Sequence, residues 1–519
     1  MRKFMYFVML LMICVFAAAC GGGSNEAVEA VLDGGFEYIH VEPEETPAAE
    51  APQEEVLEIP PEEEPSRRTP FEILPALLRN YSADAEEAIA FVEGVHPNFI
   101  VAGRMCMETY EAFREEYLYA TANPMTRAEF ILATQRFLTV FNDGHLSRTF
   151  LTGEWYWNAR EREWEWETGL VQNGDFIDRY FLSRNGRLFL ADENLVITST
   201  EVLAIGGVTV DEIFAVIDRY YGAYNYAGRQ RARGRYSRYQ VMLLRAGASL
   251  YRDEDGNLVT DLTVLKDGEE YIMEVGFTDV HPTSYRSPDF VPEYRVRWEM
   301  KNDDVLYIAL RGGIPSVNEY VYGAVEAIEQ AMADGVRKFI LDVRNFAGGV
   351  VAVGHALFDA MGVTPPGHGL LINLDGWYWE QQYHWPFPPA SLEFLNFSPE
   401  DLARNYIYVP RNPGQAANPY GVFIAALTGE RTFSAATKIA VEVADSGFGI
   451  VIGEPSSTAP TGYGAGRSIW LYNSRIQMRP HYYFFLRPDE TADQITLWPD
   501  IHVYEWDALE AALEFFAGM

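Results

Sequence analysis

Cysteine is nearly absent from this chain, with 3 in 519 residues at Cys14, Cys20 and Cys106. Cys14 and Cys20 belong to the extreme N-terminus, so no intramolecular disulfide framework is available to the rest. Clustered Cys or His and the helical H-E-x-x-H pattern are missing, which argues against a zinc enzyme. Basic charge is scarce: 40 Lys and Arg face 75 Asp and Glu, leaving a formal net charge of -35 and a pI of about 4.6. Nucleic acid and anionic lipid surfaces are therefore poor partners, having no basic stripe to hold them. No apolar run beyond the N-terminus is long enough to span a membrane. A G-x-S-x-G elbow is lacking, which argues against an α/β-hydrolase, and no internal repeat is present.

What is present begins with a targeting pattern. A basic MRK start, an apolar stretch from Phe4 to Ala19 and a small-residue end at Cys20 form a secretory signal. The segment resembles a bacterial lipoprotein signal, although Ala17 stands where such signals usually carry Leu. That resemblance implies lipid attachment at Cys20 and a location on the extracytoplasmic face of the cell membrane. An ordinary secretion signal cut near Ala19 is the alternative. Residues 20–66 follow, rich in Glu and Pro and poor in large apolar groups, and read as a self-repelling tether or an acidic interaction tail.

The remainder divides into three by pattern. Residues 67–153 read as helical: Phe71–Leu78 and Ala83–Val95 are amphipathic, and Thr126-Arg-Ala-Glu129 opens a further helix as a capping box. Phe130, Ala133, Phe137 and Phe141 share a face of that helix, Gly144 is a natural stop, and His145 emerges just beyond. Residues 154–293 turn to short alternating runs with Gly and Asn-Gly turns, a mainly β region. Within it Glu201–Tyr220 reads as strand, Gly turn and helix, loosely similar to the strand and helix of a PDZ domain, which binds chain ends at its sheet edge. Lys266-Asp-Gly separates two further strands. From 294 to 519 strand and helix alternate: a strand to Leu310, a helix from Val317 to Ala333, a strand from Arg337 to Val343 and then Gly348-Gly349, opening another helix. This βαβ order implies a parallel sheet with helical cover. An insertion at 368–419, dense in aromatics and Pro from Leu371 to Phe397, reads either as a wall of a substrate cleft or as packing on the core.

The stretch Tyr420–Gly466 carries the chemistry. Gly421–Leu427 is an apolar run of strand length, and Ala435, Ala436, Ile439, Ala440 and Val443 recur at helical spacing. Ser434 therefore sits where a buried strand hands over to a helix, beside the unpaired N–H groups of a first turn. That position suits a helix N-cap as well as an acyl-transfer nucleophile. The two glycines at 348–349 admit a close backbone approach or a tight turn. Gly462–Arg467 resembles a nucleotide loop only superficially, its spacing being wrong.

HPNF (96–99), NDGHLS (142–147), ILDVRNFAGG (340–349), TFSAATKIA (432–440), VIGEP (451–455) and WPDI (498–501) occur in the order seen in S41 peptidases, the family of the C-terminal processing peptidases and the tricorn core protease. The resemblance implies a multidomain α/β (α+β) chain: an N-terminal helical region, a small β-rich PDZ-like domain and an α/β sandwich core of the ClpP/crotonase type. It makes Ser434 the nucleophile, with the N–H groups of Ala435 and of Gly348 or Gly349 as oxyanion donors. The processing peptidases take their base from a Lys after the GE-x-T segment; here that segment, GEPSSTAPTGYG, has none. Tricorn-like members use a His from the helical region, which His145 matches. Lys438, one turn after Ser434, is a rival base that reads as a solvated helix charge. The third member falls on Asp493 by counting back from Pro499-Asp500, with Asp489 and Glu490 as competitors and Asp500 at the start of a final strand.

The resulting expectation is a membrane-anchored extracytoplasmic serine peptidase, an endopeptidase or a carboxyl-end processing enzyme, acting on peptides or unfolded proteins without a metal or organic cofactor. The alternatives are a noncatalytic peptide-binding lipoprotein of the same shape and, less compatible with the mixed element order, a solute-binding lipoprotein.

Overall fold

The structure is a computed structural model and describes residues 69–70, 78–100, 105–146, 156–158, 163–165, 176–192, 197–278, 295–373, 406–466 and 469–519. The signal, Cys20, the tether, most of Phe71–Leu78 and the aromatic stretch from 374 to 397 lie outside them. Among the described residues no helix is long and apolar enough to cross a membrane.

Three helices, Ser82–Val95, Met107–Thr121 and Arg127–Leu138, build the first part. The last begins at the capping box, in which Thr126 and Glu129 satisfy each other's exposed N–H groups. Phe130, Phe137 and Phe141 bury against Tyr110 and Tyr117, with Tyr117 and Phe137 stacked at 4.9 Å. Asn142, in the left-handed conformation at φ 48°, ends the short turn that continues the helix. Gly144 has a different role from the stop predicted for it: a β-carbon there would lie 3.1 Å from the Tyr224 ring.

The β-rich part is a sheet whose central strands are Leu258–Lys266, Ile197–Ile205, Arg187–Ala191 and Tyr180–Arg184. Glu269–Thr278 pairs with Leu258–Lys266 through a turn at Asp267 and Gly268, both at positive φ, as a two-residue hairpin requires. Ile197–Ile205 leads through Gly206-Gly207 into the helix Val210–Tyr220, which opens on a second capping box, Thr209 with Glu212. The helix Tyr226–Tyr236 follows and packs on Tyr180–Arg184.

The last part holds a six-stranded sheet in the order Val296–Lys301, Val305–Leu310, Lys338–Asp342, Phe423–Thr428, Gly449–Gly453, Ile501–His502, antiparallel at its first pair and parallel thereafter. Side-chain alternation sorts its residues to two faces. Leu306, Ile308, Phe339, Leu341, Ile424 and Ala426 meet the helices Glu319–Ala333, Ala352–Ala360 and Ala435–Ala444, whereas Tyr307, Ile340, Ala425 and Leu427 meet Ala508–Ala517. Phe346–Gly349 does not open a helix directly. It pairs as a short strand with Gly312–Ile314, and the helix starts at Ala352.

A separate antiparallel sheet, Tyr406–Val409, Gly369–Asn373, His481–Leu486 and Gly462–Gly466, joins the N-terminal helices to the core. Asn373 Nδ2 donates to the carbonyls of Gly94 and Val95 at 3.1 and 3.0 Å, and Ile372 and Tyr482 bury against Phe91 and Val95. That docking carries the loop after Phe141 to the end of the core sheet at which Ser434 stands.

Candidate active site

Ser434 occupies the N-cap of the helix Ala435–Ala444 with φ 59° and ψ -123°, and its hydroxyl makes no capping bond. Left-handed backbone at a non-glycine residue costs about 1–3 kcal/mol and persists only where its surroundings hold it. Here Ser434 N–H donates to Thr458 Oγ1 at 2.8 Å and Phe433 N–H to the Phe346 carbonyl at 3.2 Å, while Thr432 Oγ1 donates to the Val343 carbonyl at 2.9 Å. The segment Ser456–Thr461 that supplies Thr458 is buried throughout. The hydroxyl of Ser434 is thus held at a strand-to-helix turn by backbone anchors, without being used for capping.

Gly348 presses against this turn. At φ 94° it places its α-carbon so that a side chain would lie 2.6 Å from the Phe433 carbonyl, 2.7 Å from Ser434 Cβ and 2.9 Å from Ala435 N. Gly349, at φ 136°, packs instead on the backbone of Ile314. Gly348 is therefore the glycine that shares a surface with Ser434 and with the first N–H of the helix.

His145 is buried, and its ring lies on that of Phe433, the neighbour of Ser434, with centroids 4.3 Å apart. The two residues predicted to act together are so brought to one place, although no hydrogen bond joins Ser434 Oγ to any described residue. His145 N–H donates to Asp143 Oδ1 at 2.9 Å. Tyr224 O–H donates to the same carboxylate at 2.5 Å, and His145 Nδ1 lies 2.5 Å from the Tyr224 oxygen. A phenol has one proton, which here goes to the carboxylate. His145 Nδ1 must then be the protonated nitrogen, leaving the lone pair of the neutral imidazole on Nε2, the tautomer a general base requires.

Asp143 is fully buried and gathers two more imidazoles. His481 Nδ1 donates to its Oδ2 at 2.7 Å, and His96 Nε2 faces the same oxygen at 3.6 Å while His96 Nδ1 accepts from Asn98 N–H. Burial alone pushes the Asp143 carboxyl up. The opposing charge of His481 and the hydrogen bonds from His145, His481 and His96 outweigh it and hold the group well below the ordinary carboxylate range.

Asp493, the acid predicted for this position, does not meet His145. It is exposed, its Oδ1 accepts from Ile495 and Thr496 N–H and its Oδ2 from Trp498 Nε1, so its own turn uses the carboxylate. Asp489 caps Thr491 and Glu490 pairs with Arg411. Asp500 starts the last strand as predicted, accepting from Val451 N–H at 2.7 Å. Lys438 is not a solvated charge: it is 2% exposed, and its Nζ donates to the carbonyls of Ala459 and Pro460 at 3.3 and 2.7 Å. Counting from the C-terminal motif missed Asp143, although it stands two residues before His145 in NDGHLS. Tyr224 and His481 had no local signal.

No protein-family model matches the chain, and no curated protein matches it. Solved structures do. Mature CPAF aligns over 84% of this chain and 95% of its own, with 15% identity and a TM-score of 0.51. The mature CPAF complex with lactacystin aligns over 85% and 97%, with 14% identity and a TM-score of 0.52. This chain has the S41 peptidase fold. A CPAF serine-to-alanine mutant aligns over 84% and 96%, with 12% identity and a TM-score of 0.55. At this identity the S41 fold accounts for the architecture, while the chemistry rests on the residues gathered around Ser434. None of the described groups of His, Cys, Asp and Glu is arranged to hold a metal ion.

Proposed function

We propose that the protein is a serine peptidase in which Ser434 attacks the peptide carbonyl and His145 takes and returns the proton. The observation that carries this reading is the juxtaposition of a strained serine turn, whose hydroxyl caps nothing, with an imidazole whose tautomer is fixed by Tyr224 and Asp143. Asp143, anionic and buried, stabilises the imidazolium that forms when the proton moves. In this reading the N–H groups of Ala435 and Gly348, which lie against each other at the Ser434 turn, serve as the oxyanion donors, and one such donor is worth about 2.7–4 kcal/mol of barrier.

Substrates are peptides or unfolded proteins, cleaved internally or near the carboxyl end. The N-terminal pattern supports a lipid anchor at Cys20 and action outside the cytoplasm, with the β-rich part as a PDZ-like holder of chain ends. A palmitate-labelling experiment with the wild type and Cys20→Ser tests the anchor by itself.

Hydrolysis of a fluorogenic peptide pool tests the enzyme. Turnover by the wild type that disappears in Ser434→Ala is expected. Turnover that persists in Ser434→Ala contradicts the assignment. Peptide binding without turnover by the wild type favours the noncatalytic binder.

A further inference from the structure

One turn after Ser434 on the same helix, Lys438 is a buried cation to which the Ser434–His145 chemistry gives no task. Its Nζ donates to the Ala459 and Pro460 carbonyls at 3.3 and 2.7 Å. Helical side chains lean toward the N-terminus of their helix, which carries this ammonium back to the level of the serine turn. Taking an ammonium out of water is costly unless acceptors and charge are matched. Here two carbonyls accept from it, the Phe485 ring centre lies 5.4 Å from Nζ, and Glu442, buried one turn further on, interacts with its charge.

The two carbonyls belong to the segment 456–461, on which the Ser434 turn rests. Thr458 Oγ1 accepts from Ser434 N–H at 2.8 Å, and Ser457 N–H and Oγ donate to the Thr432 carbonyl at 3.1 and 3.2 Å. The ends of the segment are tied to other parts of the chain. Asn225 Nδ2 donates to the Ser456 carbonyl at 3.0 Å, and Thr461 N–H donates to the Gln494 carbonyl at 3.0 Å. Between those ties Lys438 holds the stretch that follows Thr458.

The contacts close a ring. It runs from Ser434 along one helical turn, where Lys438 N–H donates to the Ser434 carbonyl at 3.3 Å, then across Nζ to Ala459 and Pro460, and back through Thr458 to Ser434 N–H. Ser434 stands at φ 59°, a conformation that surroundings must hold in place. Removing the ammonium takes this donor from two buried carbonyls and leaves the segment to shift for other partners. The Ser434 N–H anchor shifts with it.

We propose that Lys438 is a positioning residue of the peptidase, a clamp on the segment 456–461 that keeps the Ser434 turn in its reactive form. The effect on turnover rests on the Ser434–His145 reading, whereas the clamp itself can be measured without turnover. Lys438 acts through Thr458 and the serine backbone, so His145 remains the base.

The full-length wild type is compared with Lys438→Met, which removes the charge and the donors, and Lys438→Arg, which keeps a donor cation that cannot serve as a base. Hydrolysis of a fluorogenic peptide gives kcat and KM, and hydrogen exchange gives the protection of the amides in 432–437. In Lys438→Met, kcat is expected to fall at least about tenfold with KM within about threefold, as misplacement of a reacting group predicts. The Ser434 amide should exchange at least about tenfold faster. Lys438→Arg should recover part of both. Thr458→Val, which removes the acceptor at the other end of the clamp, should lower kcat likewise, and the double variant should lose little more than the worse single one. Unchanged kcat and exchange in Lys438→Met, or additive losses in the double variant, overturns the proposal. Lost turnover in Lys438→Arg with exchange at the wild-type rate marks the lysine as a base and overturns it too. If Lys438→Met fails to fold, Thr458→Val decides, with unchanged kcat and exchange counting against the clamp. A wild type without turnover refutes the peptidase reading, and exchange still decides whether the clamp exists.

Discussion

At the residue scale, Asp143 occupies the place beside His145 that the sequence assigned to Asp493. Both are short acids near a turn, but Asp493 spends its oxygens on three donors of its own loop, whereas Asp143 is buried where Tyr224, His145, His481 and His96 converge. Asp143→Asn is expected to lower kcat by about 10²–10⁴-fold, because the amide removes the charge that supports the imidazolium and disturbs the tautomer. Asp493→Asn should leave kcat within about twofold, its carboxylate being exposed and bonded only within its own turn. Steady-state kinetics on the same peptide compares the two. Ser434 and His145 were singled out through the order of motifs that resembles S41 peptidases, since the element boundary at which each stands suits a helix cap or a structural histidine as well. Tyr224 and His481 were not, since a lone Tyr after a helix and a His opening a strand have no signature, and only the fold brings them to Asp143.

At the scale of elements, the helices and strands followed from capping boxes, turn residues and apolar period, and the departures have physical causes. Phe346–Gly349 is a strand because Gly312–Ile314 offers it a partner beyond the local sequence. Lys438 is buried because the helix that carries it is covered by the loop whose carbonyls it meets. Gly348→Ala is expected to reduce kcat/KM by about 10²-fold or more, through the clash with the Ser434–Ala435 backbone and loss of oxyanion geometry. Gly313→Ala, in the paired strand, meets nothing within 4 Å and should retain activity. Parallel assays with thermal melts distinguish a lost site from a lost fold.

For the molecule as a whole, the sequence revealed the order of helical, β-rich and α/β parts but not how they interlock. One joint is Arg184, which leaves the β-rich sheet to pair with Glu454 at 2.5 Å and to lie over Tyr504 and Trp506. Burial, aided by Glu505 and opposed by Arg184, pushes Glu454 up to about 7; burial with Glu505 pushes Glu430 to about 8. Acids with folded values raised above the ordinary 4.5 contribute stability that is complete below about 4.5 and is lost as pH rises through about 7 to 8. Chemical unfolding should therefore show declining stability across that window, with a shallower slope in Glu454→Gln; an unchanged slope contradicts this account of the joint. The central claim is that folding makes His145 the activator of Ser434 across nearly three hundred residues of chain. Its most direct test is the rate of fluorophosphonate labelling, with the modified residue located by peptide mapping. A single adduct on Ser434 that forms at least about 100-fold more slowly in His145→Ala is predicted. No adduct at Ser434, or an equal rate in His145→Ala, contradicts it.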